Sequence, residues 1–118
     1  TYQNSQYTDS KEAKSKFELS PESFSPDNDG YNDILNIAYK MDKPGYVLSI
    51  HIFDASGHPV KELINNELLG TNGSFKWDGL DKNDQHPGSG IYIILFEYYD
   101  LEGNLHKEKQ TTVVAEKR

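Results

Sequence analysis

Turn signals recur along this chain at intervals too short for a helical fold. They fall at Asp29-Gly30, Pro44-Gly45, Ser56-Gly57, Asn72-Gly73, Asp78-Gly79, Pro87-Gly88 and Glu102-Gly103. Each contains glycine, which adopts positive φ at little cost, and all but Glu102-Gly103 join it to a Pro, Asn, Asp or Ser suited to chain reversal. The runs between them alternate apolar and polar residues, the period of a half-buried strand. In "DILNIAYK" Leu35, Ile37 and Tyr39 share one face, and in "YVLSIHIFD" Leu48, Ile50 and Ile52 do. In "GSFKWDG" Phe75 and Trp77 face away from Lys76. "GIYIILFEYYD" (Gly90–Asp100) is apolar on both faces, as a central strand requires, and pairs naturally with "LHKEKQTTVVA" across "DLEGN". "KFEL" is a short, weak strand.

One segment has two readings. "PVKELINNELLG" places Val60, Leu63, Ile64, Glu67 and Leu68 at helical spacing, with Gly70 as a C-cap. Its position among strands favours a strand over Pro59–Asn65 followed by a loop. No repeat appears at a solenoid period. The pattern predicts an all-β, antiparallel immunoglobulin/fibronectin-III-like sandwich of about seven strands. Trp77 is the expected core anchor. Tyr92, at the start of the longest strand, fits either a tyrosine-corner hydrogen bond or ordinary packing.

The 118 residues suffice for one domain. Residues 17–115 carry the sandwich pattern. Residues 1–16 have no period and few apolar side chains, and read as a disordered linker or tail; residues 116–118 read as a frayed end. The sequence shows no initiator Met or signal peptide, so it reads as part of a longer protein. A net charge of −7 disfavours nucleic acid, and the lysines form no block suited to an anionic membrane. There is no apolar run long enough for a membrane-spanning helix. The absence of cysteine excludes disulfides, thiol catalysis and Cys-based zinc sites.

The densest set of chemical groups is "SFSPDNDGYND". Asp27, Asp29 and Asp33 supply carboxylates suited to calcium, and Gly30 permits a tight reversal. Set on an EF-hand loop with Gly30 sixth, position twelve is Asn36, where a bidentate Glu is needed. Asp81 and Asp84 could add oxygens if their loop packs nearby. The competing reading, which the residues favour, is a turn closed by Asp and Asn side chains at the start of a strand. His51, His58, His86 and His106 lie in four segments without metal-ligand spacing and read as surface residues. "GSG" at Gly88–Gly90 lacks a nucleophile elbow. No catalytic residue or cofactor-binding residue is assigned, and the chain reads as a non-enzyme. Eight tyrosines raise the aromatic share to 12%; Tyr98 and Tyr99 must point to opposite faces, and exposed members could stack on sugars.

Three stretches in order, "FSPDNDGYNDIL", "IHIFDASGHPVKEL" and "FKWDGLDKNDQHPGSGIYIILF", carry a family resemblance. The chain from about Leu19 to Val114 resembles the immunoglobulin-like C-terminal domain related to that of the flagellar hook-capping protein. It is also similar to gliding-motility-type C-terminal domains of exported Bacteroidetes proteins, some of which carry a lamin-tail-like domain. The hairpin "IFDASGHPV" lies closer to the hook-capping form, and the ending "VVAEKR" weighs against a type IX export-signal role. The resemblance implies a non-catalytic accessory module of an exported, extracytoplasmic protein, serving domain packing, assembly, export or anchoring. Its expected partners are neighbouring domains of the same protein or other envelope proteins, and the isolated domain is expected to be monomeric. The alternative is a carbohydrate-binding β-sandwich with structural calcium, which a planar row of exposed tyrosines would favour.

Overall fold

A computed structural model describes residues 16–21, 23–25 and 33–115. Its eight strands are β1 (Phe17–Ser20), β2 (Ser23–Phe24), β3 (Leu35–Lys40), β4 (Val47–Asp54), β5 (Pro59–Leu68), β6 (Asn72–Trp77), β7 (Gly90–Tyr99) and β8 (Leu105–Val114). They form a three-stranded sheet, β1-β3-β6, and a five-stranded sheet, β2-β8-β7-β4-β5. This is the immunoglobulin-like sandwich that the alternating runs predict, with one strand more than expected. The extra strand is the two-residue β2, which joins the end of β8 in parallel, Ser23 opposite Val113; the other pairings are antiparallel. A two-residue strand carries no alternation to read.

The core follows from the alternation. Leu35 and Ile37 from one sheet, and Leu48, Ile50, Ile52, Ile94 and Phe96 from the other, are fully buried between the layers. Aromatic rings bridge the sheets: Phe17 of β1 stacks on Phe96 of β7 with ring centroids 4.1 Å apart. Trp77 of β6 meets Phe24 and Tyr92 edge-on at 5.5 and 5.6 Å. Such pairs add about 0.5–1.5 kcal/mol each beyond burial.

The ambiguous segment is a strand, and it continues to Leu68 rather than stopping at Asn65. Its helix-like spacing arises because the β4–β5 register slips at three points, each slip shifting the in–out phase of β5. Asn66, at φ 53°, lies in this irregular stretch, and its N–H donates to Ser49 Oγ at 3.0 Å. The expected turn at Asn72-Gly73 is also corrected. These residues open β6, and Gly73 faces Tyr39, whose ring occupies the space a Cβ would need, 2.8 Å away. Glycine there admits an aromatic side chain from the neighbouring strand. At the N-terminal boundary the carbonyl of Lys16 accepts from the Lys40 N–H, so Lys16 extends the β1–β3 pairing; residues 1–15 and 116–118 lie outside the described residues.

Candidate functional site

Three loops share one aspartate-closed design. Asp54 Oδ1 accepts from the N–H groups of Ser56 and His58, Asp81 Oδ1 from those of Asn83 and Gln85, and Asp100 Oδ1 from those of Glu102 and Asn104. In each, the backbone of the aspartate also pairs with the residue four positions on. The fourth residue takes positive φ: Gly57 at 92°, Asp84 at 61° and Gly103 at 87°. "DASGH" and "DLEGN" advertise this design through their glycine, whereas "DKNDQ" conceals it behind Asp84.

These hydrogen bonds stabilise the ionised aspartates. The backbone N–H of His58 is the largest cause of the lowered Asp54 pKa, and that of Gln85 the largest for Asp81. Asp100 is lowered furthest, to about 2, first by His106 and then by the Asn104 N–H. His106 Nε2 lies 2.9 Å from Asp100 Oδ2; an ionised carboxylate only accepts, so Nε2 carries the proton. The His106 ring also stacks on Tyr98 at 5.1 Å.

The long connection from β6 to β7 is tied to the core at both ends. Trp77 Nε1 donates to the Leu80 carbonyl at 2.9 Å, and Asp78 Oδ1 accepts from the Leu80 N–H. At the other end the Tyr92 hydroxyl donates to the Gly88 carbonyl at 2.7 Å, which makes Tyr92 the tyrosine corner.

The outer face of the five-stranded sheet is read from its register. Across β4, β7 and β8 the rows are Phe53–Ile93–Thr111, His51–Leu95–Lys109 and Ser49–Glu97–Lys107. Ile93, Leu95 and Phe53 are half-buried without a covering layer among the described residues. Glu97 lies between His51 Nε2 at 3.3 Å and the Lys107 ammonium at 3.6 Å. The inner-facing positions of β8 are polar towards its start. Glu108 lies opposite Phe96 and Gln110 opposite Ile94, and Gln110 Nε2 donates to the Phe17 carbonyl at 2.8 Å. Inward polar residues of this kind blunt an edge strand against adventitious pairing.

Of the calcium candidates, Asp27 and Asp29 lie outside the described residues, and Asp33 is half-buried just before β3. Asn36, the position-twelve residue, has its Oδ1 taken by Lys76 Nζ at 3.1 Å. Asp81 Oδ1 closes its own loop. Among the described residues no three His, Asp or Glu side chains gather as metal ligands. The histidines are dispersed: His51 pairs with Glu97, His58 with Asp54 and His106 with Asp100, while His86 is exposed in a loop. Tyr46, Tyr92 and Tyr98 are buried, Tyr39 is half-buried, and Tyr99 is 44% exposed. The described tyrosines thus form no exposed planar row.

Fold and loops together define an immunoglobulin-like β-sandwich domain. Residues 18–114 match the CHU_C type IX secretion signal domain, and the chain belongs to that family. The match overrides the weight placed on the ending "VVAEKR". A type IX secretion signal domain marks a protein exported to the cell surface or secreted. Among solved structures, FlgD from Xanthomonas campestris, described for its insight into hook capping in flagellar assembly, is 28% identical with a TM-score of 0.50. That similarity covers 69% of this chain and 57% of that one. PorZ of Porphyromonas gingivalis, an essential surface component of the type IX secretion system, is 21% identical with a TM-score of 0.54, covering 84% of this chain and 11% of PorZ. FlgD from P. aeruginosa is 19% identical with a TM-score of 0.50, over 69% of this chain and 62% of that one. At their identities the latter two speak for the fold alone. The chain therefore spans less than two thirds of each of these proteins. No curated protein sequence matches it.

Proposed function

We propose that this domain is the non-catalytic export and anchoring module of the protein that carries it, and that the folded sandwich, rather than a short linear peptide, is what the export machinery recognises. The observation that carries this reading is the extent of the family match, which runs from β1 to the last residue of β8 and so takes in all eight strands. The aspartate-closed loops support it, because their side chains are spent on shaping the loops. The module's partners in this reading are neighbouring domains of the same protein or other envelope proteins, and alone it is a monomer. A lamin-tail-like domain upstream belongs to the same reading, and the sequence of the full-length protein tests it.

The carbohydrate-binding alternative is disfavoured by the burial of Tyr46, Tyr92 and Tyr98. The test of the export reading is a reporter carrying this chain at its C-terminus, expressed in a bacterium with a type IX system. Surface or medium reporter is expected with the intact chain and none with the core variant Trp77→Ala. Equal export of both would show that a linear signal suffices, and retention of both would overturn the reading.

A further inference from the structure

We propose that Asn72-Gly73 is a self-modifying site, where the backbone nitrogen of Gly73 closes on the Asn72 side chain whenever the start of β6 peels away from β3. This goes beyond the export reading and does not depend on it. The chain has nine asparagines, and only Asn72 precedes a glycine. Glycine carries no Cβ to crowd the approach of its own nitrogen to the preceding side chain. Asn72 and Gly73 are both exposed, and they open β6, an edge strand of the three-stranded sheet.

The reaction needs only base and water. Hydroxide takes the proton from the Gly73 N–H, and the nitrogen attacks Asn72 Cγ. The Cγ–Nδ2 bond breaks, ammonia leaves with that nitrogen, and a succinimide ring remains. Water then opens the ring at either carbonyl carbon, so that aspartate or isoaspartate replaces asparagine. Water enters, ammonia leaves, and nothing is oxidised or reduced. Either product adds a negative charge. Isoaspartate also routes the main chain through the side-chain carbons. The added methylene lies just before Gly73 and disrupts its pairing with Tyr39.

The fold holds this reaction back at the nucleophile. The Met41 N–H donates to the Thr71 carbonyl at 2.7 Å, one step beyond the Lys40–Asn72 pair. Bonded and non-bonded pairs alternate along an antiparallel ladder. Tyr39 and Gly73 therefore exchange both backbone hydrogen bonds, while the backbone of Asn72 faces the free edge. The Lys40 N–H points the opposite way, to Lys16, as this alternation requires. The proton that must leave Gly73 is thus held by the Tyr39 carbonyl, and the Tyr39 ring lies over Gly73. β6 pairs on one side only. Freeing Gly73 takes the Met41–Thr71 and Tyr39–Gly73 pairs and leaves Ile37–Phe75 and Leu35–Trp77 in place. An opening of this size lies below global unfolding in free energy.

The test uses the whole 118-residue chain, held at mildly alkaline pH in buffer and in urea above its unfolding midpoint. Peptide mapping by mass spectrometry follows conversion at each asparagine, and NMR follows hydrogen exchange of the Gly73 and Ile94 amides. In urea Asn72 is expected to convert before the other asparagines. In buffer it is expected to convert about tenfold more slowly or less, because only the opened fraction reacts. Tyr39→Ala removes the ring over Gly73 and is expected to speed conversion in buffer by the same factor as Gly73 exchange. Exchange of Ile94, buried in the centre of β7, separates that local opening from a general loss of stability. Asn72→Gln should yield no product at this position. Equal rates in buffer and urea, earlier conversion at another asparagine, no product in buffer while Gly73 exchanges, or conversion that follows Ile94 rather than Gly73 would each overturn the proposal.

Discussion

The Tyr92 hydroxyl donates to the carbonyl of Gly88, four residues upstream, at 2.7 Å. The ring is buried against Trp77, and burial pushes the phenol pKa up, so the hydroxyl stays a neutral donor across the working pH range. It holds the end of the long β6–β7 connection to the start of β7. Tyr92→Phe keeps the ring and deletes that bond. The expected loss is about 0.5–1.5 kcal/mol, the net value of one such bond. It should appear as a lower urea midpoint with unchanged slope. An unshifted midpoint would show that the corner does nothing for stability.

The three aspartate-closed loops make a matched comparison. A Cβ added at Gly57 or Gly103 meets no atom within 4 Å, so any cost of alanine there is conformational. Gly57→Ala and Gly103→Ala are each expected to lose about 1–2 kcal/mol, the strain of a left-handed L-residue. Asp84 already bears that strain at φ 61°. Asp84→Gly relieves it while freeing the unfolded chain, and the two effects should leave stability within about 0.5 kcal/mol of the parent. Urea denaturation of the three variants ranks them; a loss at Asp84→Gly as large as at Gly57→Ala would refute the shared design.

Period and turn chemistry make most of this fold legible in the sequence. Leu48, Ile50 and Ile52 are read correctly because nothing interrupts their alternation until the end of β4. Leu63 and Ile64 are ambiguous because β5 slips register, and local spacing cannot separate a bulged strand from a helix. Asn72-Gly73 misleads for a different reason: its glycine answers to the Tyr39 ring across the sheet, a contact no neighbour in sequence reveals. The uncovered apolar centre of Phe53, Ile93 and Leu95 is hardest to see. "GIYIILFEYYD" announces apolar residues on both faces, but only the register shows that Lys107 and Lys109 stand beside Leu95 and Glu97.

Acid should weaken the domain through its loop aspartates. Asp54, Asp81 and Asp100 have folded pKa values below the unfolded one, so the unfolded state binds their protons first. Their stabilisation is fully present above about pH 4, near the unfolded value, and is lost as pH falls towards about 2, the folded value of Asp100. Urea midpoints are expected to drop through this window. Asp100→Asn retains an oxygen acceptor but does not titrate, so it should be less stable at neutral pH and show a shallower fall below about pH 4. A fall as steep as the parent's would remove Asp100 from the account.

Calcium is expected to leave the domain unmoved. The position-twelve oxygen that would complete an EF-hand loop is Asn36 Oδ1, and it already receives the ammonium of Lys76 at 3.1 Å. A cation at hydrogen-bond distance opposes a second, divalent cation by Coulomb repulsion. Asp81, a further oxygen source considered for the loop, spends Oδ1 on the N–H groups of Asn83 and Gln85. Asp33, half-buried just before β3, is the calcium candidate among the described residues, and removing its carboxylate should then leave the response to calcium unchanged. A ligand that binds only the folded state stabilises it by RT ln(1 + [L]/Kd), so a site filled at millimolar calcium must raise the melting temperature as calcium is added. We expect no rise for the parent chain and none for Asp33→Asn. A rise in the parent that Asp33→Asn abolishes would establish the calcium loop instead.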